Sequence, residues 1–184
     1  MRLSRRAMVV LALLPAACSS PNPALYVLAP EPGAVRSGAP RTIQVRAISL
    51  ARYLERSQIV RSSEGYRMDV LANEWWGEPL DTMMGRILVL ELSQRLPGST
   101  VYADSGAISA PPDATAEINV ERFDLDRNGS VLLAAQVAVD GRPNVVRAVS
   151  LIQRPADGTT QGLVGAMSAV TAQLADVIAG MLGR

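Results

Sequence analysis

Leu163, Ala166, Met167, Val170, Leu174, Val177, Ile178, Met181 and Leu182 recur at helical spacing and hold one face for five turns. A stripe that long must be buried against something. The opposite face carries Ser168, Gln173 and Asp176. A helix lying on a membrane surface would place basic residues there, and none comes before Arg184. The partner is therefore expected to be a sheet of the same chain.

The sequence supplies the strands. Residues 25–28 form a short apolar run, read as a first edge strand. Residues 30–40 are rich in Pro and Gly and read as a loop. Within 42–48, Ile43, Val45 and Ala47 alternate with Thr42, Gln44 and Arg46, the pattern of a half-buried strand. Residues 58–62 and 66–72 predict two more strands, joined at Ser63-Glu64-Gly65, with Tyr66, Met68, Val70 and Ala72 sharing a face. The period then changes. Leu80, Met83, Met84, Ile87, Leu88 and Leu92 predict a helix. It opens at Pro79, has Glu78 and Asp81 at its positive end, and stops at Pro97-Gly98. Residues 103–113 read as a loop. Residues 114–125, 131–139 and 144–153 predict a meander through Asp126-Arg127-Asn128-Gly129 and Asp140-Gly141-Arg142-Pro143, two strong hairpin signals. Apolar residues on both faces of 131–135 suggest a central strand covered by a helix. The expected fold is α+β: a single domain with a mostly antiparallel sheet and two amphipathic helices packed on it.

The other end of the chain carries an address. Arg2, Arg5 and Arg6 precede an apolar stretch of about ten residues from Ala7, too short to span a bilayer, which takes roughly 20. Ala16 and Ala17 then precede Cys18, the only cysteine. Residues 1–17 thus read as a lipoprotein signal peptide and Cys18 as the lipid attachment site. Two or more acyl chains anchor stably where one does not. Ser19 follows, where lipoproteins kept at the inner membrane often carry Asp, so it points to the outer membrane. Residues 18–24 form an acylated tether with under about 20 Å of reach, and 25–184 form the domain. Membrane contact is expected through the acyl chains.

Composition excludes several functions. Three of the 18 basic residues lie in the leader, leaving 15 against 17 acidic residues, a net charge of −2 and no footprint for nucleic acid. There is no histidine, the usual base near neutral pH and the commonest transition-metal ligand. With Cys18 acylated, neither His nor Cys remains for zinc. No metal, no cofactor and no catalytic residue is expected. Asp124, Asp126, Asn128 and Gly129 match the start of a calcium loop, but its twelfth position falls on Ala135 where a bidentate Glu is required, so a hairpin turn is the better reading.

Two stretches stand out: Tyr53-Leu54-Glu55-Arg56-Ser57-Gln58-Ile59-Val60, and Trp75-Trp76-Gly77-Glu78-Pro79-Leu80. Two Trp just before a helix fit packing against its first turn. Tyr53, Leu54, Glu55, Arg56, Ile59 and Val60, with Trp76, Glu78, Pro79 and Leu80, also resemble the ABC-type transport auxiliary lipoprotein family, PqiC-like members included. The segment 116–124 and the helix bearing Met167, Ser168, Leu174 and Ala175 are similar too, so the resemblance spans the mature chain. Ala51 and Ser57 depart from it, where relatives often carry Pro.

The resemblance implies function by partnership rather than catalysis. Its members are lipid-anchored, periplasm-facing outer-membrane proteins that serve mammalian-cell-entry (MCE) proteins and their ABC permease and ATPase in lipid transport between membranes. A homo-oligomeric ring is implied as well. On this reading Tyr53, Arg56 and Trp76 are the candidate partner-binding residues. The rival readings are a lipopolysaccharide-assembly lipoprotein acting as plug or chaperone of an outer-membrane barrel, and a carboxylate-dependent periplasmic hydrolase.

Overall fold

A computed structural model describes residues 22–107, 110–140 and 144–183. The leader, Cys18 and the turn at 141–143 lie outside the described residues. The elements run β1 (Ala24–Tyr26), β2 (Thr42–Val45), β3 (Ser49–Leu50), a 3-10 turn (Arg52–Leu54), β4 (Gln58–Ser62), β5 (Asp69–Trp76), α1 (Leu80–Arg95), β6 (Thr100–Ala103), β7 (Ala114–Leu125), β8 (Val131–Asp140), β9 (Val145–Gln153) and α2 (Thr160–Leu182).

The α+β expectation holds, with both helices packed on one nine-stranded sheet. The mostly antiparallel expectation does not. Hairpins make β4–β5, β7–β8 and β8–β9 antiparallel. The remaining pairs, β1–β5, β2–β6, β2–β7, β3–β7 and β4–β7, are parallel. The reason is connectivity. The chain reaches β6 only after crossing through α1, and reaches β7 only through residues 104–113. Parallel neighbours need such crossovers. One edge of β7 thereby receives β2, β3 and β4 in succession, and its other edge receives β8. Asp113 pins the β2 end of this arrangement by accepting from the Thr42 backbone N–H (3.0 Å) and hydroxyl (2.8 Å).

Ala116, Ile118, Val120 and Phe123 of β7 and Val131, Leu133, Ala135 and Val137 of β8 lie on the face beneath the helices, all essentially sealed from water. Leu132 and Ala134, on the opposite face, are half-buried, so β8 is covered by helix on one side only. A register shift between Val120 and Arg122 resets the alternation of β7, which is why Phe123 turns inward one place out of phase. β6 was not expected from the sequence, and β5 starts later than the pattern suggested. Its buried residues are Leu71 and Trp76, while Ala72 is exposed and Tyr66 and Met68 precede the strand.

α1 buries Met83, Met84, Ile87, Leu88 and Leu92 completely. α2 begins where the Thr159 hydroxyl accepts from the Gly162 N–H (3.0 Å), a regular N-cap. α2 is apolar and long enough to span a bilayer, yet 67% of its most apolar window is buried in this fold, as befits a core helix. Its expected polar face is mostly engaged as well. Ser168 is buried and accepts from the Ala29 N–H (3.1 Å), and Asp176 meets Arg95.

Arg95 ties the layers together. No part of its side chain reaches solvent. Its Nε donates to Asp176 (2.6 Å), Nη1 to the carbonyls of Glu31 (3.1 Å) and Glu91 (3.3 Å), and Nη2 to the Ala172 carbonyl (3.1 Å). One guanidinium thus joins α1, α2 and the Pro- and Gly-rich segment between β1 and β2, which acts as a strap along the helix seam. The strap is fixed further by Glu31 N–H donating to Glu91 (2.9 Å) and Arg36 N–H donating to the Arg95 carbonyl (2.7 Å). Gly33 is required by close approach, since a Cβ there would sit 2.2 Å from Arg95 Cζ.

Burial, only partly offset by the Glu31 N–H and the Arg95 charge, pushes the Glu91 carboxyl up to about 7, with Glu31 and Asp176 adding repulsion. A folded-state pKa above the unfolded value means stability is greatest below pH ~4.5 and falls as pH rises toward 7. Glu91→Gln should remove that decline, on the order of 2–3 kcal/mol, so the wild type's loss of stability between pH 5 and pH 8 in denaturant titrations should be largely absent from the variant. Gly33→Ala should destabilise by about 2–3 kcal/mol through overpacking against Arg95, read as a lowered urea midpoint at unchanged m-value.

Candidate functional site

The two distinctive segments, some twenty residues apart in sequence, become neighbours because β4 and β5 pair. Gln58 lies opposite Trp75, and the Trp76 N–H donates to the Ser57 carbonyl (2.7 Å). Beside this junction is a cleft of ≈ 640 Å³. Its floor is apolar, formed by Ile48, Leu50, Trp76 and Leu80, all buried. Its rim is polar and includes Glu55, Arg56, Ser57, Glu78 and Asp81. Gly77 also lines the cleft, and its N–H donates to the Tyr26 carbonyl (2.8 Å), tying this stretch to the end of β1. A second hollow of ≈ 390 Å³ adjoins along α1 and shares Ile48 and Asp81 with the first, extending past Arg86, Val89 and Leu90.

The three residues singled out from the sequence have different situations. Arg56 stands at the cleft. Its Nε donates to the Tyr53 carbonyl (3.0 Å), and it forms no ion pair among the described residues. Trp76 contributes floor, 6% exposed, so it can touch an occupant only from beneath. Tyr53 faces the other way. Its hydroxyl donates to Asp124 Oδ2 (2.9 Å) and accepts weakly from the Phe123 N–H (3.4 Å). The structure thus brings Arg56 and Trp76 together and assigns Tyr53 to holding the turn that carries Arg56.

Asp124 is the residue the sequence reading missed. It is fully buried and receives Tyr53, the Ser63 hydroxyl (2.6 Å) and Arg122 Nε (2.8 Å). A buried carboxylate needs such donors. The available signal was an acid directly after Phe123 within an alternating strand, which instead suggested a calcium loop. In the structure Asp126 makes the turn by accepting from the Asn128 (2.8 Å) and Ser130 (2.9 Å) N–H groups, with Gly129 at φ +74°. The hairpin reading is the one observed. Among the described residues no group of three His, Cys, Asp or Glu side chains could hold a metal ion.

The family described as ABC-type transport auxiliary lipoprotein component matches residues 26–179. The chain belongs to that family. An uncharacterized protein of known crystal structure superposes with TM-score 0.75 at 20% identity, covering 88% of this chain and 99% of its own. Protein XCC0632 from Xanthomonas campestris, of the family DUF330, superposes with TM-score 0.66 at 16% identity, covering 86% and 94%. These likenesses show a shared fold. No curated protein matches the sequence.

Burial, followed by the charge and hydrogen bond of Asp124, pushes the Tyr53 phenol up to about 12. The unfolded chain ionises near pH 10, so stability should fall between pH 10 and about 12. Tyr53→Phe should lose about 1–2 kcal/mol at pH 7 by removing one donor from buried Asp124, and thermal melts should show a shallower alkaline decline than in the wild type.

Proposed function

We propose that this protein is a non-catalytic, outer-membrane lipoprotein subunit of an MCE-type lipid transport system. It is anchored through Cys18, faces the periplasm, and offers the Arg56–Trp76 cleft to its partner. The observation that supports this most is family membership across residues 26–179, which includes both segments that build the cleft. Membership in a transport-auxiliary family also favours this reading over a barrel plug. An apolar floor under a mixed-charge rim suits an inserted apolar side chain steered by polar contacts. The partners are the MCE-domain protein and, through it, the ABC permease and ATPase; self-association into a ring belongs to the same proposal.

Arg56→Glu tests the cleft. Reversing a rim charge should weaken copurification with the MCE-domain protein by roughly tenfold or more while leaving the melting temperature within about 2 °C. Retention of the partner by a folded Arg56→Glu variant would rule out this surface. Failure of the wild-type lipoprotein to bring down any MCE-domain protein would rule out the function.

A further inference from the structure

The β4–β5 connection carries an outlier. Ser62 and Asp69 are the last paired residues, and the Arg67 N–H closes a turn onto the Glu64 carbonyl (3.2 Å). Both central residues, Gly65 and Tyr66, have φ +64°. That is the signature of a turn whose centre favours Gly or Asn. Tyr66 is the one non-glycine residue at positive φ among those described, and its side chain is fully exposed. A large aromatic held in water on a disfavoured backbone is the kind of strain that accompanies function. Exposed Met68 is beside it, as is exposed Arg67, which forms no ion pair among the described residues. The base of the turn is fixed, with Glu64 held by Arg122 and Arg127, each at 2.8 Å.

The direction of β1 supplies the occupant. β1 runs parallel to β5 with Ala24 opposite Glu74, so its N-terminal end points toward the β5 start, the side of this turn. From Glu74 back to Asp69 is about 17 Å of strand, and the six residues from Ala24 to Cys18 span at most about 20 Å. The attachment sulfur can therefore reach the height of the turn and little beyond it.

We infer that the 63–68 turn is a second, non-covalent contact with the phospholipid bilayer that holds the acyl chains. The inference rests on the reading of Cys18 as acylated. Tyr66 lies at headgroup depth, its ring against acyl chains and its hydroxyl in water, as tyrosines do at membrane interfaces. Met68 adds apolar surface, and Arg67 faces the phosphates. The cleft, at the opposite end of β5, is then held about 20–25 Å above the membrane.

The test uses full-length lipidated protein on phosphatidylethanolamine–phosphatidylglycerol vesicles containing a doxyl-labelled phospholipid. Acylated Cys18 carries no free thiol, so a new cysteine takes a polarity-sensitive fluorophore alone. Tyr66→Cys and Met68→Cys report the turn. Gly98→Cys reports the far end of the sheet, beside the β2–β6 pairing, where an added Cβ meets nothing within 4 Å. Labels at 66 and 68 should be blue-shifted and quenched roughly threefold more than at 98. Tyr66→Gly, which suits the positive φ, should melt higher than the wild type yet reduce quenching of the label at 68. If the protein floats with the vesicles but all three labels remain quencher-free, the turn proposal is wrong and the anchor stands. Shielding of position 66 only after an envelope extract is added would mean a protein contact instead. Failure to float would overturn the anchor reading and this inference with it.

Discussion

A fully buried guanidinium is costly to desolvate, and the structure accepts that cost at Arg95 only because four acceptors from three different segments surround it. Much of the architecture follows from this cluster. α1 supplies the arginine, α2 supplies Asp176 and the Ala172 carbonyl, and the strap supplies the Glu31 carbonyl. Lysine could not serve, because one ammonium cannot reach acceptors spread across a planar fork. The helices are thereby locked to each other as well as to the sheet, and the strap is fixed over their seam. With the strap fixed, β1 is delivered to the outer edge of β5.

A second buried charge organises the opposite side of the sheet. The irregularity after Val120 shifts β7 out of phase, so Phe123 enters the core and Asp124 turns to the other face. There it collects Tyr53, Ser63 and Arg122, drawing the segment before β4 and the turn after it onto one carboxylate. Arg56, bonded to the Tyr53 carbonyl, is positioned as a consequence. The cleft geometry is thus set from a distance by an acid that does not line it.

Much of this could be read from the sequence, for identifiable reasons. α2, α1 and the β7–β8–β9 meander were found because their period is sustained over many residues and their turns use Asn-Gly and Asp-Gly chemistry. Pairing direction was misjudged because alternation records which face is buried and says nothing of which neighbour a strand meets. β6, four residues long, is too short to show a period. Ser168 was placed on a polar face because its neighbour Ala29 arrives from 139 residues away. Tyr53 stands with Arg56 and Trp76 in two compact motifs; only the tertiary link to Asp124 shows that its hydroxyl is directed away from the cleft the other two line.

The strap also dictates an order of assembly. Its acceptor site for Arg95 is complete only when α2, the last of the described elements, has packed beside α1. Contacts so distant in sequence form late and slowly. In a chain synthesised N-terminus first, the strap is made early and must wait for α2 before it can settle. Closure of the strap then marks the moment at which the two helices and the sheet become one rigid unit.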